Sequence, residues 1–155
     1  MGVNSLTYSK DGLLLTERFE GCVLKAYHDQ VGVLTIGYGH TGPDVKEGLA
    51  ITQAQAQEIL AKDLEIAAAC VNRVVSIPLT QQEFEALVDF VFNLGVGAFE
   101  HSTLLKALNA NNLVAAVRHF EEWDHAGGVI VAGLLRRRQA EVQLFEGDNQ
   151  TLRNA

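Results

Sequence analysis

Residues Glu20 to Thr41 read EGCVLKAYHDQVGVLTIGYGHT, and the rest of the chain is organised around this stretch. It begins where an apolar helical pattern ends, and it gathers Glu20, Asp29 and Thr35 into one short segment. From Val31 to His40 the sequence alternates and is punctuated by glycine, the pattern of a β-hairpin. Thr35 shares its odd-numbered face with Gly37 and Gly39. Glycine weakens a strand interior. Two on one face therefore predict either the close approach of a ligand or backbone, or a bulge or tight bend.

Two carboxyls flanking a groove suit glycoside hydrolysis. One protonates the leaving oxygen, while the other attacks the anomeric carbon or activates a water to do so. A lone Glu and Asp also fit ordinary solvated charges, so longer motifs have to decide. The chain reads FEG at Phe19 to Gly21, YHD at Tyr27 to Asp29 and TIGYGHTG at Thr35 to Gly42. It continues with TQQEFEALVDFVFNLGVGAF at Thr80 to Phe99, Trp123, and GLLRRRQAEVQLF at Gly133 to Phe145. Over nearly its whole length this pattern resembles the phage-type lysozymes, endolysins of glycoside hydrolase family 24.

The resemblance implies an α+β, mostly helical, lysozyme-like fold in a single domain, 1–155. A small β-hairpin-bearing lobe is expected over about 20–50, a long connecting helix over about 52–72, and a larger helical lobe over about 80–147, packed with the N-terminal helix. It implies hydrolysis of the β-1,4 bond between N-acetylmuramic acid and N-acetylglucosamine in peptidoglycan, with no cofactor. Glu20 becomes the general acid, with Asp29 and Thr35 placing the water. His40 and Arg137 become supporting residues, His40 bonded to a partner on the long helix, with Asp63 the candidate, and Arg137 close to Glu20. Thr41, Phe92, Ser102 and Arg118 fall at positions of saccharide contact, although Thr41 and Arg118 depart in residue type. Phe92 reads equally as core and Ser102 as a helix N-cap. Trp123 could stack on a sugar, but its place in a helical run favours core packing. A lytic transglycosylase and a non-catalytic wall-binding protein of the same fold are the alternatives.

The general acid must carry a proton while its partner is charged, so the two carboxyls need different surroundings. Phe19, Val23 and Tyr27 are expected to surround Glu20 with apolar groups, and Asp29 is expected in a loop beside water. The trio implies inversion, although the outcome depends on carboxyl separation, roughly 6.5 to 9.5 Å for inversion and about 5 to 5.5 Å for retention.

At 155 residues the chain is long enough for one self-sufficient core, and an apolar content of 48% with two prolines argues for an ordered globule. The net charge of −7 argues against nucleic-acid binding and predicts weak or adverse steering toward an anionic wall. Arg136 to Arg138 form the only basic cluster, with Arg136 and Arg138 expected on a solvated face. Cys22 and Cys70 fit no metal or redox spacing, so buried reduced thiols are expected. The five histidines show no HExxH, which argues against a zinc enzyme. The sequence opens on no charged-then-apolar leader and contains no membrane-length apolar run. The expectation is a monomer held in the host cytoplasm until lysis and then acting on the wall in the periplasm. It would need a membrane-permeabilising partner, a holin, to reach the peptidoglycan glycan strands.

Along the chain, Met1 to Tyr8 reads as a loosely docked lead-in, and Ser9 as the N-cap of a helix ending near Glu20 and Gly21. Gly42 to Gly48 reads as a loop. Thr52 with Gln55, and Thr80 with Glu83, form capping boxes opening two helices. In the first, Ile59, Leu60, Leu64, Ala67, Ala68 and Val71 recur at helical spacing. In the second, Phe84, Leu87, Val88, Val91 and Phe92 read as core, stopped at Gly95. Ser102 and Asn112 cap helices over Thr103 to Ala110 and Leu113 to about Trp123. Gly127 and Gly128 break the pattern before a last helix, roughly Leu134 to Phe145.

Overall fold

A computed structural model describes residues 3–123, 125–126, 129–130 and 132–147. Among them are seven helices and two small antiparallel strand pairs, a mostly helical α+β chain as expected. The helices are α1 (Lys10–Glu20), α2 (Gln53–Val74), α3 (Gln81–Leu94), α4 (Val96–Glu100), α5 (Thr103–Asn109), α6 (Leu113–Glu121) and α7 (Ala132–Glu146). The strands are β1 (Val23–His28), β2 (Leu34–Gly37), β3 (His125–Ala126) and β4 (Val129–Ile130).

The centre of the molecule is α3. Thr80 and Glu83 close its capping box, Gly95 ends it at φ +100°, and every residue from Glu83 to Val91 is buried. It packs against α1, α2 and α7. Phe90 on this helix meets Phe99, Phe120 and Trp123 edge-on, with centroids 5.4 to 6.1 Å apart, so Trp123 packs in the core as its helical context favours. Phe92, in contrast, is only partly buried, because one turn of α3 lies at a cleft wall.

The 22 residues of α2 span about 33 Å. Its Thr52–Gln55 capping box is complete, and it buries one stripe, Ala56, Leu60, Leu64, Ala67, Ala68 and Val71. Ile59 stays half-exposed at the edge of that stripe. Ser102 and Asn112 cap α5 and α6 through their side chains. The short α4 has no counterpart in the sequence pattern. Five residues between the Gly95 turn and the next helix are too few to show a period.

The hairpin lies earlier than its alternation suggests. β1 pairs with β2 in the register Val23 to Gly37, Tyr27 to Thr35 and His28 to Leu34. Val31 and Val33 are exposed residues of the intervening turn, not strand. β1 has no buried residue, so no apolar alternation marks it. Gly37 and Gly39 take φ of +65° and +76°, the tight bend that two glycines permit, closed by paired Ile36 and His40 backbone bonds.

Two further local expectations change. The described residues before α1 are firmly docked. Asn4 donates to Ile77 O at 2.8 Å, and Leu6 exchanges bonds with the Asn72 amide at 3.1 and 2.9 Å. Ser9 occupies the N-cap position, but its hydroxyl donates to Glu85 instead of capping α1. Gly127 and Gly128 lie outside the described residues.

Candidate active site

Glu20 is the last residue of α1, and Gly21, at φ +66°, turns the chain away immediately after it. Its carboxyl therefore projects from a helix end instead of along a helix flank. One oxygen, Oε2, accepts from Arg137 Nη1 at 2.5 Å. The other, Oε1, faces Gly39. A Cβ added there would stand 2.8 Å from that oxygen and would displace it, and φ +76° at this position favours glycine in its own right. Of the two readings of these glycines, the tight bend is the one found, and what approaches Gly39 is the Glu20 side chain.

The surroundings of Glu20 differ from the apolar ones expected. Val23 and Tyr27 are well exposed, at 42% and 39%, and the dominant neighbour is a cation. Of the three apolar candidates, Phe19 contributes indirectly, its ring lying 5.7 Å from the Arg137 guanidinium. Arg137, expected close to Glu20, is there. It also grips Asp89 of α3 through Nε at 3.0 Å and Nη2 at 2.9 Å. Burial works against the guanidinium charge, but Asp89 and Glu20 outweigh it and push its pKa further up. Burial likewise pushes the Asp89 carboxyl up, yet hydrogen bonds from Glu141, Arg137 and Thr16 hold it below the usual carboxylate range.

Arg138 is not on a solvated face. It is fully buried over the Phe90 ring, with Nε 2.7 Å from Glu141 and Nη2 donating to Glu141 at 2.9 Å and to Asn93 at 2.8 Å. Glu141 is buried with it, and burial together with Asp89 raises its carboxyl well above the ordinary value. Only Arg136 of the three is exposed. The basic cluster is thus mostly internal wiring. Asp89, Glu141 and Thr16 were not singled out in the sequence. A usable signal existed: Asp89 interrupts the apolar run ALVDFVF, and Glu141 follows the two arginines at helical spacing.

A cleft of about 270 Å³ is lined by Glu20, Gly39, His40, Thr41, Asp63, Phe92 and Asn93. A second, of about 620 Å³, adjoins Glu20 from the side of Arg18, Phe19 and Arg136. Glu20 belongs to both. His40 joins the turn after the hairpin to α2: its Nδ1 lies 2.7 Å from Asp63 Oδ2, the partner foreseen, and Nε2 lies 2.9 Å from Asp44. Burial lowers the imidazole's affinity for a proton, but the two aspartates more than offset this and its pKa rises.

Asp29 and Thr35 line neither cleft; they sit at the turn end of the hairpin. Asp29 Oδ1 accepts from the backbone of Val31 at 2.9 Å and of Val33 at 2.8 Å. The Val33 carbonyl in turn accepts from Asp29 N and from the Thr35 hydroxyl, both at 2.9 Å, so the backbone of one residue, Val33, bonds both side chains, its N–H the Asp29 carboxyl and its carbonyl the Thr35 hydroxyl. Asp29 is half-exposed and Thr35 is 4% exposed.

Of the saccharide-contact candidates, Thr41 and Phe92 stand in the first cleft. Ser102 is buried as the cap of α5. Its Oγ accepts from Leu105 N at 3.0 Å and donates to Phe99 O at 2.7 Å, which uses the hydroxyl internally. Arg118 is exposed on α6 and lines neither cleft. Cys22 and Cys70 are free thiols, partly and fully buried. Among the described residues no cluster of three or more His, Cys, Asp or Glu side chains is placed to hold a metal. No described helix is long and apolar enough to cross a membrane.

A carboxyl fixed at a cleft wall by a cation, with a second carboxyl and a hydroxyl on the adjoining hairpin, is equipped for acid-assisted cleavage of a bond to oxygen. A family model described as phage lysozyme matches residues 17–141. The endolysin of Acyrthosiphon pisum secondary endosymbiont phage 1 is 42% identical over 142 residues, covering 89% of this chain and 97% of its own. An endolysin from Escherichia coli O157:H7 phage FAHEc1 superposes with a TM-score of 0.84 at 38% identity, over 92% of this chain and 94% of its own. A P22 lysozyme mutant gives 0.80 at 39% identity, over 91% and 99%.

Proposed function

The chain belongs to the phage lysozyme family, peptidoglycan-hydrolysing glycosidases of host-cell lysis, and from that premise we propose that it is an N-acetylmuramidase with Glu20 as its general acid. The bond cut is the β-1,4 link between N-acetylmuramic acid and N-acetylglucosamine. The observation that supports this most is the Glu20 carboxyl itself, held on one oxygen by Arg137 and open to a cleft on the side of Gly39.

In the proposed reaction Glu20 gives its proton to the leaving glycosidic oxygen. Asp29, with Oδ1 engaged by the turn backbone, directs Oδ2 at the water that attacks the anomeric carbon. The Thr35 proton is already committed to Val33 O, so its oxygen serves the water as an acceptor. Two lobes, the hairpin side and the helical side, close on the glycan between them, with Thr41 and Phe92 as saccharide contacts. Wall access depends on a separate membrane-permeabilising partner of the holin type, and the enzyme works as a monomer without a cofactor.

Mass analysis of the products from purified peptidoglycan tests the reaction. Reducing N-acetylmuramic ends are expected. An anhydromuramic terminus would make the protein a transglycosylase, and wall binding without release of sugars would make it non-catalytic.

A further inference from the structure

Arg137 is shared between two carboxylates, and the division is unequal. Nε and Nη2 both go to Asp89, leaving Nη1 alone for Glu20. A two-pronged grip fixes the plane of a guanidinium, which a single bond cannot do. The Asp89 side chain is fully buried, and the Thr16 hydroxyl holds it from another side at 2.7 Å. The Tyr8 hydroxyl stands 2.7 Å from Thr16 Oγ1, so the anchor is tied through α1 to the docked segment before it. We propose that Asp89 is a positioning residue for Glu20: it anchors the Arg137 guanidinium and takes up most of its charge, leaving Glu20 oriented yet free to give and take a proton.

The other charged groups nearby do not perform this balancing. Glu141 on α7 lies 3.9 Å from Arg137 Nε, but Arg138 holds it at 2.7 to 2.9 Å, and burial with Asp89 favours its protonated form. Glu85 on α3 is engaged by Ser9 and Gln81. Burial pushes the Tyr8 phenol up, so it stays neutral. Arg18 stacks on the Phe19 ring, and across the cleft His40 and Asp63 satisfy one another.

The proposal rests on Glu20 acting as the acid, and the test separates the two ideas. Turnover of purified peptidoglycan is followed against pH for wild type, Asp89→Asn, Thr16→Val, Arg137→Gln and the Asp89→Asn/Arg137→Gln double variant. Folding of each is checked by circular dichroism. Asp89→Asn hands the whole guanidinium charge to Glu20. The basic limb of the pH–activity profile is therefore expected to move to lower pH by about one unit. Turnover should fall about tenfold while KM changes less than about twofold. Thr16→Val should produce a smaller displacement in the same direction. In the Arg137→Gln background, Asp89→Asn should displace nothing, since the shared cation is gone.

A folded Asp89→Asn with the wild-type limb, or an equal displacement without Arg137, overturns the proposal. If Asp89→Asn does not fold, the presence or absence of the Thr16→Val displacement decides. A folded, fully active Glu20→Gln would overturn the site reading itself. With that variant inactive, the Asp89 result bears on the anchor alone.

Discussion

Arg137 and Arg138 are neighbours in sequence, yet a helix turns about 100° per residue, so they take different partners. Arg137 reaches Glu20 and Asp89, whereas Arg138 lies over the Phe90 ring and closes on Glu141. Charge at the residue scale is thus spent inside the molecule. His40 offers a test with a definite sign. It binds a proton more readily folded than unfolded, because Asp63 and Asp44 favour its charged form. Its contribution is therefore fully present below the ordinary histidine value of about 6.5, provided the aspartates are ionised, and is lost as pH rises through its raised value. In thermal melts the advantage of wild type over Asp63→Asn should be largest near pH 5.5 to 6 and shrink above neutrality. A difference that grows with pH would refute the pairing. The His40–Asp63 contact was legible through the resemblance, which gave the motif histidine a partner on the long helix, whereas its second partner, Asp44, was not named. Arg138 was not, because an RRR run looks solvated until its buried counter-charge, Glu141, is known.

At the scale of elements, capping boxes and glycine stops marked α2, α3 and the end of α1 in the sequence, since backbone termini need those particular side chains. The hairpin was misplaced by several residues. Its first strand buries no residue, and the valines that suggested alternation sit in the turn. Ser102 shows how one residue type serves two readings. Resemblance put it at the saccharide, whereas its hydroxyl bonds Leu105 N and Phe99 O at the start of α5. Ser102→Ala should therefore lower stability by about 1 kcal/mol and leave KM for peptidoglycan unchanged. Chemical denaturation and steady-state kinetics check both parts. A raised KM with unaltered stability would restore the binding role.

For the whole molecule, the acidic balance of −7 meets an anionic wall. With Arg137 and Arg138 internal and ion-paired, Arg136 alone of that cluster is left to attract the substrate. Added salt screens repulsion over roughly 8 to 10 Å near physiological ionic strength. Initial rates on purified peptidoglycan are accordingly expected to rise with moderate salt, and a steady fall would mean that a basic surface dominates the encounter. Mixed α+β architecture and the placement of Glu20 at a helix end were legible from one stretch of sequence. The internal charge network was not, since pairing across α1, α3 and α7 exists only once they pack. The most direct measurement is turnover of purified peptidoglycan by folded Glu20→Gln beside wild type and Asp29→Asn. The two-carboxylate account predicts a loss of at least about 100-fold in both variants. Wild-type turnover by a folded Glu20→Gln would contradict it.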